Sequence, residues 1–524
     1  VGSKVFIAID IGTSFSGYCF KIAKEECVQK IKWRTEQGFN TPKTPTCILF
    51  DEKEKFLKFG YDAVMTYTSQ TQNKEAKKLH LFENFKMELY GQVLHRDFML
   101  TARNGKQMRA MKVFSESLRF MKDHALETIG EHTSVVKYSA SDATWILTVP
   151  AIWSASAKQF MREAATEAGL VTESDPDRLI IALESEAASV WCRQLPSDGF
   201  MDGDFRGSEK IEEVPGTQYM VVDCGGGTID ITVHEVVEDS HLKELHKVSG
   251  SDMGGQTVDK NFKKFLRELI SEKVFDEFEK NYPNELQRLM YDFSICKVHD
   301  GEVCLVSTST LKHLASKENR KLPSTADAGW EDGVLHVSKE KLRSLHDDSL
   351  RSIENLIENI LKKPNLNIDY ILLVGGFALS PYVNSFVKKM FGGRYKVVCP
   401  ADAQMAVLRG AVTFGMMPKV IESRISRYTY GIGIAKVFDE TKHKSKRRYV
   451  TKEGEVFCDV LFERDQKSVR FSFFYTESKT PEFIDEPGMT KIGFGFTEMQ
   501  ATATEIYSGE TSSVTLDFMA EEFV

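Results

Sequence analysis

The chain has 524 residues, of which 42% are hydrophobic and 27% charged, and its formal net charge is −8. That length suits about three to four domains or subdomains around a large buried core. The acidic balance argues against general nucleic-acid binding, and no apolar run of about eighteen residues predicts a membrane span.

Nine cysteines are scattered without a C-x-x-C pair, the pattern of reduced thiols in the cytoplasm or nucleus. The opening residues Val1–Lys4 lead almost directly into a strand pattern and do not read as a signal peptide.

Val5–Phe20 (VFIAIDIGTSFSGYCF) is an apolar strand ending in Asp10, a small-residue turn through Gly12, Thr13 and Ser14, and a second strand. Trp145–Val149 predicts a buried strand stopped by Pro150, and Ser156–Gly169 predicts a helix. Residues 196–217 are polar and glycine-rich, which predicts a mobile excursion. Tyr219–Val233 (YMVVDCGGGTIDITV) then repeats the first device: strand, Asp223, the turn Gly225-Gly226-Gly227-Thr228, strand.

Helical spacing recurs over Asp259–Tyr291 and Leu342–Leu361. Tyr370–Val374 predicts a buried strand running into Gly375-Gly376, and Pro381 suits the first turn of a following helix. Beyond about Pro418 the period changes to two, notably over Glu455–Glu463, Val469–Thr476 and Ser513–Met519. That predicts an all-β domain, expected as a sandwich. The basic run Lys442–Arg448 (KHKSKRR) reads as a solvated loop.

Two strand–Asp–turn–strand devices suggest a duplicated site that closes on phosphate from both sides. Glycine lets backbone N–H groups approach phosphate oxygens, and the Asp ending each strand suits a hydrated Mg²⁺. Gly375-Gly376 at a strand end supplies a further close approach. Gly254 and Gly255 open a predicted helix whose free N–H groups are expected to touch the nucleotide. Neither G-x-x-x-x-G-K-[ST] nor G-x-G-x-x-G occurs, so P-loop and Rossmann readings fail. The remaining histidines and cysteines, including Cys224 inside the second turn, show no metal or nucleophile pairing and are read as structural.

In chain order, IDIGTS, LTVPAIW, EAASVW, VVDCGGGTID, GGQTVD, LLVGGF and LRGAV resemble the heat-shock-70 branch of the actin-like ATPases across nearly the whole chain. Within that family, FENFKMELYG and LRGAVTFGMMPKVIESRISRYTYGIGIA are most similar to the divergent heat shock 70 kDa protein 12 branch. The resemblance implies an α/β fold: an actin-like ATPase domain of two ribonuclease-H-like lobes, plus the C-terminal β-sandwich. It implies ATP or ADP with Mg²⁺ in the cleft between the lobes. Asp10 and Asp223 match the aspartates that hold Mg²⁺ through water. Gly12, Thr13 and Ser14 match the first phosphate loop, and Gly225, Gly226, Gly227 and Thr228 the second. Lys86 matches the catalytic lysine, and Glu184 and Asp230 the other acids of the hydrolytic site. Lys297, Gly375, Gly376 and Phe377 fall near the base.

The chain departs from ordinary members where Phe377 and Leu379 replace a serine and an arginine beside adenine, and where Lys158 replaces an arginine. Ile421–Tyr428 stands in place of the acidic, leucine-rich linker, and no helical lid is expected after the β domain. The expected organisation is lobe I at 1–195, an insertion at 196–217, lobe II at 218–369, a return segment at 370–418, a linker at 419–428 and a partner-binding β domain at 429–524. The function this implies is a weak, Mg²⁺-dependent ATPase whose nucleotide state controls a protein client or other partner at the β domain. An adaptor with a structural nucleotide is the alternative, and a small-molecule kinase ranks last.

Overall fold

The computed structural model describes residues 4–25, 27–34, 40–69, 78–92, 94–133, 137–201, 203, 211–307, 309–318, 322 and 324–425, and in the C-terminal region 429–437, 440, 449–450, 456–461, 472–476, 490–491, 493–494, 500–504 and 511–517. The chain divides into two compact units. The larger comprises residues 1–92, 97–154 and 161–424, and the smaller comprises 93–96, 155–160 and 425–524.

Two sheets organise the larger unit, and they share one plan. In the first, strand Val5–Asp10 pairs antiparallel with Phe15–Ile22 and parallel with Ala143–Val149, which in turn pairs parallel with Leu179–Leu183. In the second, Gln218–Cys224 pairs antiparallel with Ile229–Val236 and parallel with Tyr370–Val374, which pairs parallel with Lys396–Val398. Each sheet thus has an antiparallel hairpin with two parallel strands on the far side of its first strand, so the duplication seen in the turns extends to whole sheets. Long parallel strands read as apolar runs because both faces are covered.

Alternation along a strand divides its side chains between two cores. Tyr219, Val221, Tyr370 and Leu372 face a central core, while Met220, Val222, Ile371 and Leu373 face an outer one. The central core contains helices Glu184–Cys192 and Ala403–Met416, and it also takes Ala8 and Ile146 from the first sheet. Those helices cross closely. A Cβ at Gly410 would lie 1.6 Å from the Ala187 carbonyl oxygen, so the small residues of both helices set the spacing. At the ends of the 196–217 stretch, Phe200 and Ile211 are buried in this core; residues 202 and 204–210 lie outside the described residues.

Helices Gly255–Ile270, Glu272–Asn281 and Pro283–Cys296 occupy the stretch where the sequence shows one helical spacing across residues 259–291. Ser271, at φ 125°, and Pro283 break that run into three. In the smaller unit the described strands are antiparallel and form a five-stranded sheet centred on Thr429–Val437 and a three-stranded sheet centred on Thr511–Asp517. The basic run at 442–448 lies outside the described residues. Among the described residues no helix is long and apolar enough to cross a membrane.

Candidate functional site

The two turns meet. A Cβ at Gly226 would stand 2.4 Å from Ser14 Oγ, and one at Gly227 would stand 2.4 Å from Thr13 Oγ1 and 2.5 Å from Met87 Sδ. Only glycine allows this approach at Gly226 and Gly227, neither of which has a positive φ. The first turn is anchored by Thr46, whose hydroxyl donates to the Gly12 carbonyl (2.7 Å) and whose N–H donates to the Ser14 carbonyl (2.9 Å).

The second turn is held differently, and here one expectation is corrected. The N–H groups of Gly254, Gly255 and Gln256 donate to the carbonyls of Gly227 (3.2 Å), Gly225 (3.1 Å) and Gly226 (2.7 Å). The helix start therefore spends its amides on the loop and does not offer them to a ligand. Gly254 is needed because a Cβ there would fall 2.7 Å from Gly226 O and Gly227 C. The loop carbonyls are drawn to the helix, and the amides of Gly226 and Gly227 have no acceptor among the described residues.

A cavity of about 350 Å³ opens beside the turns, within the ~300–1,000 Å³ typical of ligand clefts. Its lining brings together Asp10, Gly12, Thr13, Ser14, Lys86, Glu184, Asp223, Gly225, Gly226, Gly227, Thr228, Gly255, Lys297, Gly375, Gly376 and Phe377. Gly254 and Asp230 lie just outside it: Gly254 supports the loop, and Asp230 is buried in the opposite strand, paired in register with Asp223.

Lys86 is the first test of the charged cluster. It sits on the short 3-10 turn Phe85–Leu89 and is 2% exposed, far from the solvated lysine an isolated helix would display. Its Nζ donates to Glu184 Oε1 at 2.6 Å and stands 4.0 Å from Asp10 Oδ1. Burial works against its charge, but Glu184 and then Asp10 outweigh that and raise its pKa.

Asp10 ends its strand next to two groups that sequence reasoning missed. Lys43 Nζ donates to Asp10 Oδ2 at 2.6 Å, and the Thr148 hydroxyl donates to Oδ1 at 3.1 Å. Burial opposes ionisation of Asp10, yet Lys43 and Lys86 together hold its carboxyl below the usual range. Burial raises Glu184 against the pull of Lys86. For Asp223, burial, then the charges of Glu184 and Asp10, push the carboxyl up to about 7. Asp230 is driven well above its ordinary value by burial, then by Asp223 and Glu184, and its Oδ1 has no hydrogen-bond partner.

Among the described residues, four carboxyl groups thus cluster with the ammonium groups of Lys43 and Lys86 at this end of the cavity. A divalent cation would balance the excess, and hard oxygen donors with room for water are the set Mg²⁺ prefers. The glycine-walled loops suit phosphate oxygens. On donor chemistry and on space, the residues fit a magnesium nucleotide.

At the other end of the cavity Lys297 Nζ donates to the Gly255 carbonyl (2.7 Å) and to Asp259 Oδ2 (2.5 Å). Phe377 is 4% exposed, and its ring stacks on His346 with centroids 5.9 Å apart. Gly375 adopts φ 88°, a conformation that favours glycine, and a Cβ there would lie 2.4 Å from the Cys224 carbonyl oxygen. Thr41, Pro42, Lys43, Tyr61, Ser294 and Gln404 also line the cavity and were missed from sequence. For Lys43 a faint signal exists. Gly17 sits opposite Asp10 in the hairpin, and the Lys43 stem fills the space its missing side chain leaves, with Cγ 3.1 Å from a Gly17 Cβ position.

Comparison with known proteins relates most of the chain to one family. The family described as Hsp70 protein matches residues 6–482. The chain is 31% identical to heat shock 70 kDa protein 12A of Homo sapiens, over 98% of this chain and 91% of that protein. It is 30% identical to heat shock 70 kDa protein 12B of Homo sapiens, over 99% of this chain and 91% of that protein. Similarity to the chaperone protein dnaK of Gracilaria tenuistipitata var. liui is 28% over 60% of this chain and 46% of that protein. The chain belongs to the Hsp70 family.

Proposed function

We propose that the chain is a Mg²⁺-dependent ATPase of low turnover whose nucleotide state controls a partner at the C-terminal β domain. The observation that carries this reading is the convergence of both glycine turns with Lys86, Glu184, Asp10 and Asp223 on one cavity. Asp10 and Asp223 would hold Mg²⁺ through water. The amides of Gly226 and Gly227, with Thr13, Ser14 and Thr228, would cradle the phosphates. Mg²⁺ supplies charge neutralisation on the phosphates when bound.

Phosphoryl transfer to water needs placement and charge stabilisation more than covalent chemistry. Lys86, kept protonated by Glu184 and Asp10, supplies a fixed positive charge for the γ-phosphate. Asp223, with its pKa near 7, is suited to hold or release a proton beside the attacking water. Glu184 completes the acidic wall, and Asp230 stands buried behind it, paired in register with Asp223. Gly375, Gly376, Phe377 and Lys297 form the base end, where the Phe377 ring already packs on His346.

The lobes are taken as ribonuclease-H-like halves of an actin-like domain with boundaries at about 195, 218 and 370, followed by the 419–428 linker. The two C-terminal sheets are taken as a sandwich that receives a protein client. Cytoplasm or nucleus is the proposed location. The test is turnover by wild type and Asp10→Asn. Phosphate release that Asp10→Asn abolishes while ATP binding persists supports the ATPase. Nucleotide binding without any turnover in wild type refutes it and leaves the adaptor reading.

A further inference from the structure

Outside the nucleotide cavity, a three-stranded sheet is built from Val303–Val306, Ala328–Glu331 and Val334–Val337, with Val334–Val337 in the centre. Alternation buries Val303, Leu305, Leu335 and Val337 and turns Cys304 and His336 to the other face. Register makes Cys304 and His336 direct cross-strand partners. On the other flank His336 faces Gly329, which has no side chain to cover it. Glu302, just before the first strand, completes the group.

The geometry points to a binding site for a zinc-class divalent cation formed by Cys304, His336 and Glu302. Cys304 Sγ lies 3.4 Å from His336 Nδ1, and Glu302 Oε1 lies 2.9 Å from the same nitrogen. The three ligand atoms all fall within 4.8 Å of one another. Tetrahedral zinc with its usual Zn–S and Zn–N lengths sets sulfur and nitrogen about 3.5 Å apart, close to the spacing here.

Convergence on one ring nitrogen decides between two chemistries. A nucleophile–base–orienter relay needs the two nitrogens of the histidine to face different partners. Here thiol and carboxylate both face Nδ1, which can carry only one proton and so can satisfy only one of them. A cation accepts all three lone pairs at once. Thiolate, imidazole and carboxylate together favour zinc over the hard Mg²⁺ of the nucleotide cavity. Glu302 and His336 also line an open cavity of about 480 Å³, so a fourth position is accessible to water or to a donor from another molecule.

The test uses the full chain, with Co²⁺ as the spectroscopic probe and Zn²⁺ as its competitor, in excess Mg²⁺. The site predicts one equivalent of bound Co²⁺ with thiolate-to-metal absorption that Zn²⁺ displaces. The band should vanish in Cys304→Ser. In His336→Ala, Zn²⁺ affinity should fall by at least the roughly 10–100-fold seen when a group supporting a ligand is removed. Cys27→Ser, which alters an exposed thiol outside the site, should leave both unchanged. All the altered side chains are exposed or half-buried, and unchanged circular dichroism verifies that each variant is folded. Absence of the band in wild type, its survival in Cys304→Ser, or undiminished affinity in His336→Ala overturns the site and leaves an ordinary surface ion pair.

Discussion

Replacing Lys86 by Met removes the only ammonium that touches both Glu184 and Asp10 among the described residues. At an effective dielectric near 20, a unit charge pair at about 4 Å is worth about 4 kcal/mol, and the 2.6 Å contact with Glu184 more. Desolvation of two ions offsets much of this, so the relevant figure is the cost of stranding a buried carboxylate, about 3–5 kcal/mol. Glu184 escapes part of that cost by taking up a proton. Its folded pKa, already raised, then climbs further above its unfolded value. A carboxyl raised in the folded state contributes stability at low pH that is lost as pH rises through the folded pKa. The destabilisation caused by Lys86→Met should therefore be small near about pH 5 and grow toward about pH 8. In Lys86→Met with Glu184→Gln, much of the loss should return, and denaturant midpoints across the four chains should give a coupling of about 2 kcal/mol or more. Additive effects, or a penalty that shrinks as pH rises, would refute the reasoning that this pair is a buried ionic contact.

Asp223 makes a second pH prediction. With a folded pKa of about 7 against an ordinary value near 3.9, the native state binds the extra proton between those limits. Stability is lost as pH rises through that window, by at most about 1.4 kcal/mol per unit. The histidines His234, His246 and His346, each lowered to about 4 by burial, act in the opposite sense below about pH 6.5. The readout is thus the difference between wild type and Asp223→Asn, which should grow in favour of the variant from about pH 5 to about pH 8; a constant difference contradicts the raised pKa. Arg424 makes a third. Its two bonds to Glu186, at 2.6 and 2.8 Å, reach a carboxylate whose side chain is 2% exposed, while Arg424 itself is 44% exposed. Arg424→Met should cost about 1–3 kcal/mol after allowance for water at the arginine. Arg424→Lys should recover only part, since lysine lacks the planar fork. Equal midpoints for all three chains would show the pair to be neutral.

What could be read from sequence was local. Each hairpin announces itself because an apolar strand, an Asp and a glycine turn follow one another within fifteen residues, and the period-2 texture after Pro418 is equally local. Features that depend on register or on distant segments were hidden. Lys43 sits between Pro42 and Pro45, in a stretch with no periodicity, and reaches Asp10 only through tertiary packing. The amides of Gly254–Gln256 looked free because their partners are carbonyls about thirty residues earlier. Lys86 was singled out by its resemblance, but nothing in FENFKMELYG tells that its ammonium is buried against Glu184. Cys304 and His336 were read as structural because their meeting is a product of strand register.

The two turns and their carboxylates are read as a binding site for a magnesium nucleotide. Titration calorimetry of ATP and ADP with Mg²⁺, on wild type and on Gly226→Val, tests it most directly. The valine side chain would have to occupy the place of Ser14, so the account predicts binding in wild type and its loss in a variant that remains folded by circular dichroism. Failure of wild type to bind, or undiminished binding by folded Gly226→Val, would contradict it.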